Sequence, residues 1–144
     1  MEEYRKGSHV CYDIRYHFVW AVKYRKAVLR GDFALRLRDL VREICQSYDI
    51  EILEGSVGED HVHLLVSSPP TLLPSKIMQV IKGSTSRKLL TECQELRRQF
   101  SGQHLWARGY FAATAGTVTE EMIQDYIRLQ SEPRPEGDGH FKVT

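Results

Sequence analysis

Between Gly58 and Pro70 the chain carries a segment that constrains the fold more than any other. His61-Val62-His63-Leu64-Leu65-Val66 is short, rich in branched residues, and bounded by Gly58-Glu59-Asp60 before it and Pro69-Pro70 after it, so it reads as a strand. Successive side chains of a strand point to opposite faces. His61 and His63 therefore share one face, while Val62, Leu64 and Val66 line the other. Two imidazoles side by side on a core strand make half of a metal site, and a complete one needs donors from elsewhere in the chain.

The remaining segments are read around this strand. Val10–Val22 is dense in aromatic and β-branched residues and predicts one long strand. Gly31-Asp32 offers an N-cap, and Phe33, Leu37, Leu40, Val41, Ile44 and Tyr48 follow at helical spacing, predicting a helix over 32–48. Residues 50–57 predict a second strand that turns through Gly58-Glu59-Asp60 into the histidine strand. Pro74-Ser75 opens a helix reaching about residue 90, with Ile77, Met78, Ile81, Leu89 and Leu90 as its apolar members. Residues 91–104 are polar and carry no clear period, and Leu105–Thr114 predicts a fourth strand. Thr117 and Glu120 fit a capping box for a last helix running to Gln130.

The order strand–helix–strand–strand–helix–strand predicts an α+β, ferredoxin-like split βαβ fold. It consists of a four-stranded antiparallel sheet with helices on one face, plus a C-terminal helix. One domain over 1–131 is expected, followed by a tail at 132–144 without periodicity, read as mobile.

Composition narrows the function classes. No apolar run is long enough to span a membrane, and the N-terminus has no signal-peptide core, which predicts a cytoplasmic protein. Cys11, Cys45 and Cys93 are few and widely spaced, so they read as reduced thiols, with Cys45 in the core. The net charge of +1 averages over segregated blocks: residues 82–108 hold six Lys/Arg against two acids, whereas residues 43–60 hold six acids and no Lys/Arg. Such segregation suits one basic face for a phosphate backbone, or equally several separate solvated surfaces.

The last helix supplies candidates for the missing half of the site. Tyr126 and Gln130 lie four residues apart, so they share a helix face. A phenol and an amide oxygen projecting together, brought to His61 and His63, would hold a divalent cation with positions left open for a phosphodiester. Mixed nitrogen and oxygen donors with open positions suit Mg²⁺ or Mn²⁺ rather than a closed tetrahedral zinc site. Taken singly, each residue has a plainer reading: His-x-His arises by chance, Tyr126 fits a helix core, and Gln130 is a good helix former.

Joined together, these features resemble the HUH superfamily of single-tyrosine transposases, in the insertion-sequence 200/605 family. The resemblance rests on Tyr16-His17-Phe18-Val19-Trp20, Lys23-Tyr24-Arg25, Asp60-His61-Val62-His63-Leu64-Leu65, Leu105-Trp106, Gly109-Tyr110-Phe111 and Tyr126-Ile127-Arg128-Leu129-Gln130, over residues 10–130. It implies a protein that cuts and rejoins single-stranded DNA at hairpin-bearing ends, with Tyr126 becoming joined to a 5′ phosphate. It further implies Mg²⁺ or Mn²⁺ held by His61, His63 and Gln130. The expected assembly is a homodimer in which the tyrosine helix of one subunit can complete the histidine site of the other. One departure is Gly58-Glu59 before Asp60, where the family more usually has a Met or Pro turn. Candidate DNA contacts are Arg15, Lys23, Arg25, Lys82, Ser84 and Arg87.

Other classes remain open from the sequence. They are a domesticated relative that processes genomic hairpins, a non-catalytic single-stranded nucleic-acid-binding module, a ferredoxin-like domain whose histidines sense a metal, and a hydrolytic nuclease.

Overall fold

A computed structural model describes residues 4–100, 104–114 and 120–131. A small hairpin of β1 (Arg5–Lys6) and β2 (Cys11–Tyr12) precedes β3 (Arg15–Ala21), α1 (Gly31–Ser47), β4 (Glu51–Val57) and β5 (His61–Ser67). Then come α2 (Pro74–Glu92), α3 (Gln94–Gln99), β6 (Phe111–Thr114) and α4 (Glu120–Ser131). The main sheet is antiparallel in the order β4-β5-β3-β6. Since β5 inserts between β3 and β4, and β3 between β5 and β6, each helical crossover spans one strand. This is the split βαβ arrangement expected from the sequence.

Period-2 and period-3.6 patterns meet in the core. Phe18, Trp20, Val62, Leu64 and Val66 leave one sheet face and are covered by Leu37, Leu40, Val41 and Ile44 of α1 and Ile77, Met78, Ile81 and Leu89 of α2. Each such side chain contributes roughly 1.5–3 kcal/mol on burial. The opposite face is covered locally, where Ile123 and Ile127 of α4 rest on Val19 beside Phe111 and Tyr126. That second layer explains why β3 is buried on both faces over Phe18–Ala21 while β5 alternates.

Several expectations are corrected. The stretch 10–22 is two strands, because Cys11–Tyr12 pairs with β1 while Arg15–Ala21 joins the main sheet. α1 begins at Gly31, whose φ is +55°, with Arg30 in the cap position and no side-chain cap bond; Asp32 falls in the first turn, where its charge suits the helix dipole. The polar stretch after α2 contains α3, anchored by buried Leu96 and Phe100 one turn apart. Leu105–Thr114 is no single strand. Trp106 bridges Val22, the chain bends at Gly109 (φ +88°), and only Phe111–Thr114 pairs with β3. The carbonyls of Ala107 and Gly109 accept from Lys82 Nζ at 3.0 and 2.6 Å, so those acceptors leave the ladder. On α2, Ser86 Oγ accepts from the Leu105 amide and Thr85 Oγ1 from Trp106 Nε1, which pins the start of this segment. Thr117 of the expected capping box and the tail at 132–144 lie outside the described residues.

A 3-10 turn at Lys23–Arg25 follows β3. Tyr24 and Arg25 both hold positive φ, 62° and 51°. For residues with a Cβ this conformation costs about 1–2 kcal/mol each, so the turn is strained, and strain of this kind collects at functional sites.

Candidate active site

His61 and His63 project from the sheet face that α4 partly covers, and both are half-buried. His61 is held on two sides. Its Nδ1 lies 2.9 Å from Asp60 Oδ1, and Asp60 Oδ2 accepts from Arg25 Nε at 3.2 Å. Burial alone would raise the Asp60 pKa, but the bonds to His61 and Arg25 outweigh it and hold the carboxyl below its usual range. An ionised Asp60 accepts the Nδ1 proton, which leaves Nε2 of His61 as the nitrogen for a cation. Beneath the ring sits Gly58, where a Cβ would lie 2.5 Å from His61 Cε1 and 2.9 Å from Nδ1. Glycine at 58 is thus what lets the imidazole lie where it does.

His63 has a neighbour that the sequence reading did not assign to the site. His17 Nδ1 lies 3.2 Å from His63 Nε2, and the rings stack at 5.4 Å with an 18° interplanar angle. The register places His63 opposite Val19 and His17 opposite Leu65, so the two rings meet diagonally across β3 and β5. The alternation Arg15, His17, Val19 could have placed His17 on this face.

Tyr126 reaches the same face from α4. Its ring lies 6.1 Å from that of Phe111, and it packs on the cluster of Val19, Ile123 and Ile127. Val19 is the cross-strand partner of His63. The Tyr126 hydroxyl is buried with no hydrogen-bond partner among the described residues, a state that costs about 1–3 kcal/mol. Burial pushes its pKa up to about 12. α4 docks on β3 and the Lys23–Arg25 turn of its own chain. Gln130 falls one turn further along α4, with its side chain outside the described residues.

Among the described residues no group of three or more His, Cys, Asp or Glu side chains gathers to hold a metal. The donor set in view is two imidazoles. It fits a divalent cation whose other positions are open, and the oriented His61–Asp60 pair is the usual support for a ligating histidine.

The candidate DNA contacts separate. Arg15 Nε pairs with Asp13 Oδ1 at 2.7 Å, and Arg25 is engaged with Asp60. Lys23, Lys82 and Arg87 line one cavity of about 820 Å³, together with Arg97, His104 and Arg108, and among the described residues no acidic side chain lines it. Lys82 holds the 107–109 segment, and burial lowers its pKa. Ser84 is half-exposed on α2 and does not line that cavity.

Residues 10–130 match the family model described as "Transposase IS200 like". The chain belongs to the IS200-like transposase family. It is 34% identical over 128 residues to the ISDra2 transposase TnpA of Deinococcus radiodurans, covering 89% of this chain and 91% of the relative. It is 31% identical over 138 residues to the transposase for insertion sequence element IS200 of Salmonella typhimurium, covering 96% of this chain and 90% of that one. A crystal structure of a candidate transposase from Deinococcus radiodurans superposes with a TM-score of 0.78 at 32% identity, over 88% of this chain and 97% of that chain. A REP-associated tyrosine transposase bound to a REP hairpin shares the fold, with a TM-score of 0.56 at 16% identity, over 90% of this chain and 68% of that one. Family and fold both agree with the sequence reading. Among the described residues, no helix of this transposase is long and apolar enough to cross a membrane.

Proposed function

We propose that this IS200-like transposase cuts and rejoins single-stranded DNA at hairpin-bearing ends through a phosphotyrosine intermediate on Tyr126. The observation that carries the reading is the docking of Tyr126 on Val19, cross-strand from His63, on the sheet face that also bears His61. Tyr126 Oη attacks phosphorus, the P–O3′ bond breaks, and the 3′ oxygen leaves as a hydroxyl carrying the proton given up by the phenol. A 3′ hydroxyl on an incoming strand then attacks the same phosphorus, releasing Tyr126 and restoring a phosphodiester. The exchange conserves one phosphoester bond at each step and needs no nucleotide.

A divalent cation, Mg²⁺ or Mn²⁺, held by His61, His63 and Gln130 would neutralise the phosphate oxygens and orient the scissile bond. Asp60 and Arg25 fix the His61 ring, and Gly58 gives it room. The phenol, with its pKa near 12, is protonated at neutral pH until substrate arrives. The basic cavity lined by Arg87, Arg97 and Arg108 takes the DNA backbone of a hairpin. The hairpin in the REP-associated neighbour supports that choice of partner. A homodimer is part of the proposal, and light scattering at twice the chain mass would check it.

The experiment is a denaturing gel of the protein with labelled single strands from both flanks of its gene, with Mg²⁺ or Mn²⁺ against EDTA. A metal-dependent adduct that survives SDS and vanishes in Tyr126→Phe supports the reading. Strand binding with no adduct under either metal would replace it with a non-catalytic binder.

A further inference from the structure

Among the described residues, Tyr24 packs into no apolar cluster. Its side chain is 72% exposed. Its backbone nevertheless holds φ 62°, followed by Arg25 at 51°, where glycine or asparagine would relieve the strain that a large side chain adds. The turn has a use of its own, because it carries Arg25 onto Asp60. The aromatic ring at its tip does not serve that use. Around the ring stand Lys23 Nζ, 5.3 Å from its centroid, and Lys26 Nζ, 5.9 Å from it. On one side in sequence, Lys23 lines the basic cavity. On the other, Arg25 leads through Asp60 to His61.

We propose that Tyr24 is a stacking platform for an unpaired nucleobase, with Lys23 and Lys26 on the flanking phosphates. The inference rests on the single-stranded DNA reading above and adds the course of the strand, from the histidine face across this turn toward the basic cavity. An exposed aromatic face flanked by cations is the combination by which proteins hold single strands with little regard to sequence. An exposed ammonium–ring contact is weaker than base–aromatic stacking, so an arriving base displaces Lys23 onto phosphate, while Lys26, whose ammonium also donates to the Gln99 carbonyl at 2.9 Å, meets phosphate from where it stands. A regular duplex keeps its bases stacked inside and cannot use the ring.

The test uses the full chain in EDTA, where no cleavage intervenes. Binding to an oligothymidylate of about 20 nucleotides carrying one 2-aminopurine is followed by anisotropy and by quenching of the probe. Tyr24→Phe should bind and quench like the unmodified chain. Tyr24→Gly removes the ring and relieves the positive φ, so it should melt no lower, bind about tenfold more weakly and lose the quench. Binding within about twofold by both Tyr24→Gly and Tyr24→Leu, with the quench intact, overturns the platform. Adduct formation on Tyr126 is scored separately. Weak binding by Tyr24→Gly without an adduct in any variant supports the platform and sinks the strand-transfer reading, while normal binding with a normal adduct does the reverse.

Discussion

His17 Nδ1 faces His63 Nε2 at 3.2 Å, joining β3 to β5 through two stacked imidazoles on the face that carries the candidate active site. This contact engages Nε2 of His63. A cation taken up through that nitrogen has to displace His17. The contact is worth about 1 kcal/mol, so His17→Ala should tighten Mn²⁺ binding about fivefold by calorimetry. Weaker binding would mean that His17 instead orients His63 or joins its ligand set.

Asp60 and Gly58 act on the neighbouring ring. Asp60→Ala removes the acceptor for His61 Nδ1 and should lower Mn²⁺ affinity about 10–100-fold with the fold intact. Gly58→Ala brings a methyl within 2.5 Å of the His61 ring and should also lower that affinity by displacing the ring. Unchanged affinity in both variants would remove His61 from the site.

The buried phenol links stability to alkaline pH. The folded-state pKa of Tyr126 is raised to about 12, from an ordinary value of 10.0. The unfolded chain therefore ionises first, and the contribution is complete below about pH 10 and lost as pH rises toward about 12. Cys45, pushed up to about 12 by burial, adds a loss of the same sign from about pH 9 upward. Urea melts of the wild type and Tyr126→Phe should therefore diverge above about pH 10, with the variant losing less. At neutral pH the Phe variant should be as stable or up to about 1 kcal/mol more stable, since an unpartnered buried hydroxyl is gone. A parallel pH dependence of the two proteins would contradict the buried, protonated phenol.

Charge in the basic cavity should report on the DNA backbone. Arg97→Ala and Arg108→Ala should each weaken hairpin binding evenly across sequences and reduce the salt slope by about one. Lys82→Met should behave differently, because its ammonium braces the carbonyls of Ala107 and Gly109. It should lower thermal stability before it alters the salt slope. Identical slopes in all three variants would place the DNA elsewhere.

Much of this was legible in the residues. The alternation of His61–Val66 and the 3.6-residue spacing of Leu37, Leu40, Val41 and Ile44 dictate which faces are buried, and short-range periodicity suffices for that. The failures lay where a segment's structure depends on a partner outside it. Splitting the stretch before Val22 depends on a partner at β1, and bending Leu105–Thr114 depends on Lys82 arriving from α2. Arg15 pairs with Asp13 only two residues away and Arg25 with Asp60, ion pairs that the sequence reading did not assign. The role of His17 needed the β3–β5 register, which no single segment encodes.

The central claim is that Tyr126 is the nucleophile. After reaction with a flanking single strand and Mn²⁺, digestion with nuclease and protease followed by tandem mass spectrometry should find a nucleotide joined through phosphate to the Tyr126 phenol, in a peptide absent from EDTA controls. A nucleotide on another residue, or cleaved strands with free 5′ phosphates and no modified peptide, would contradict it.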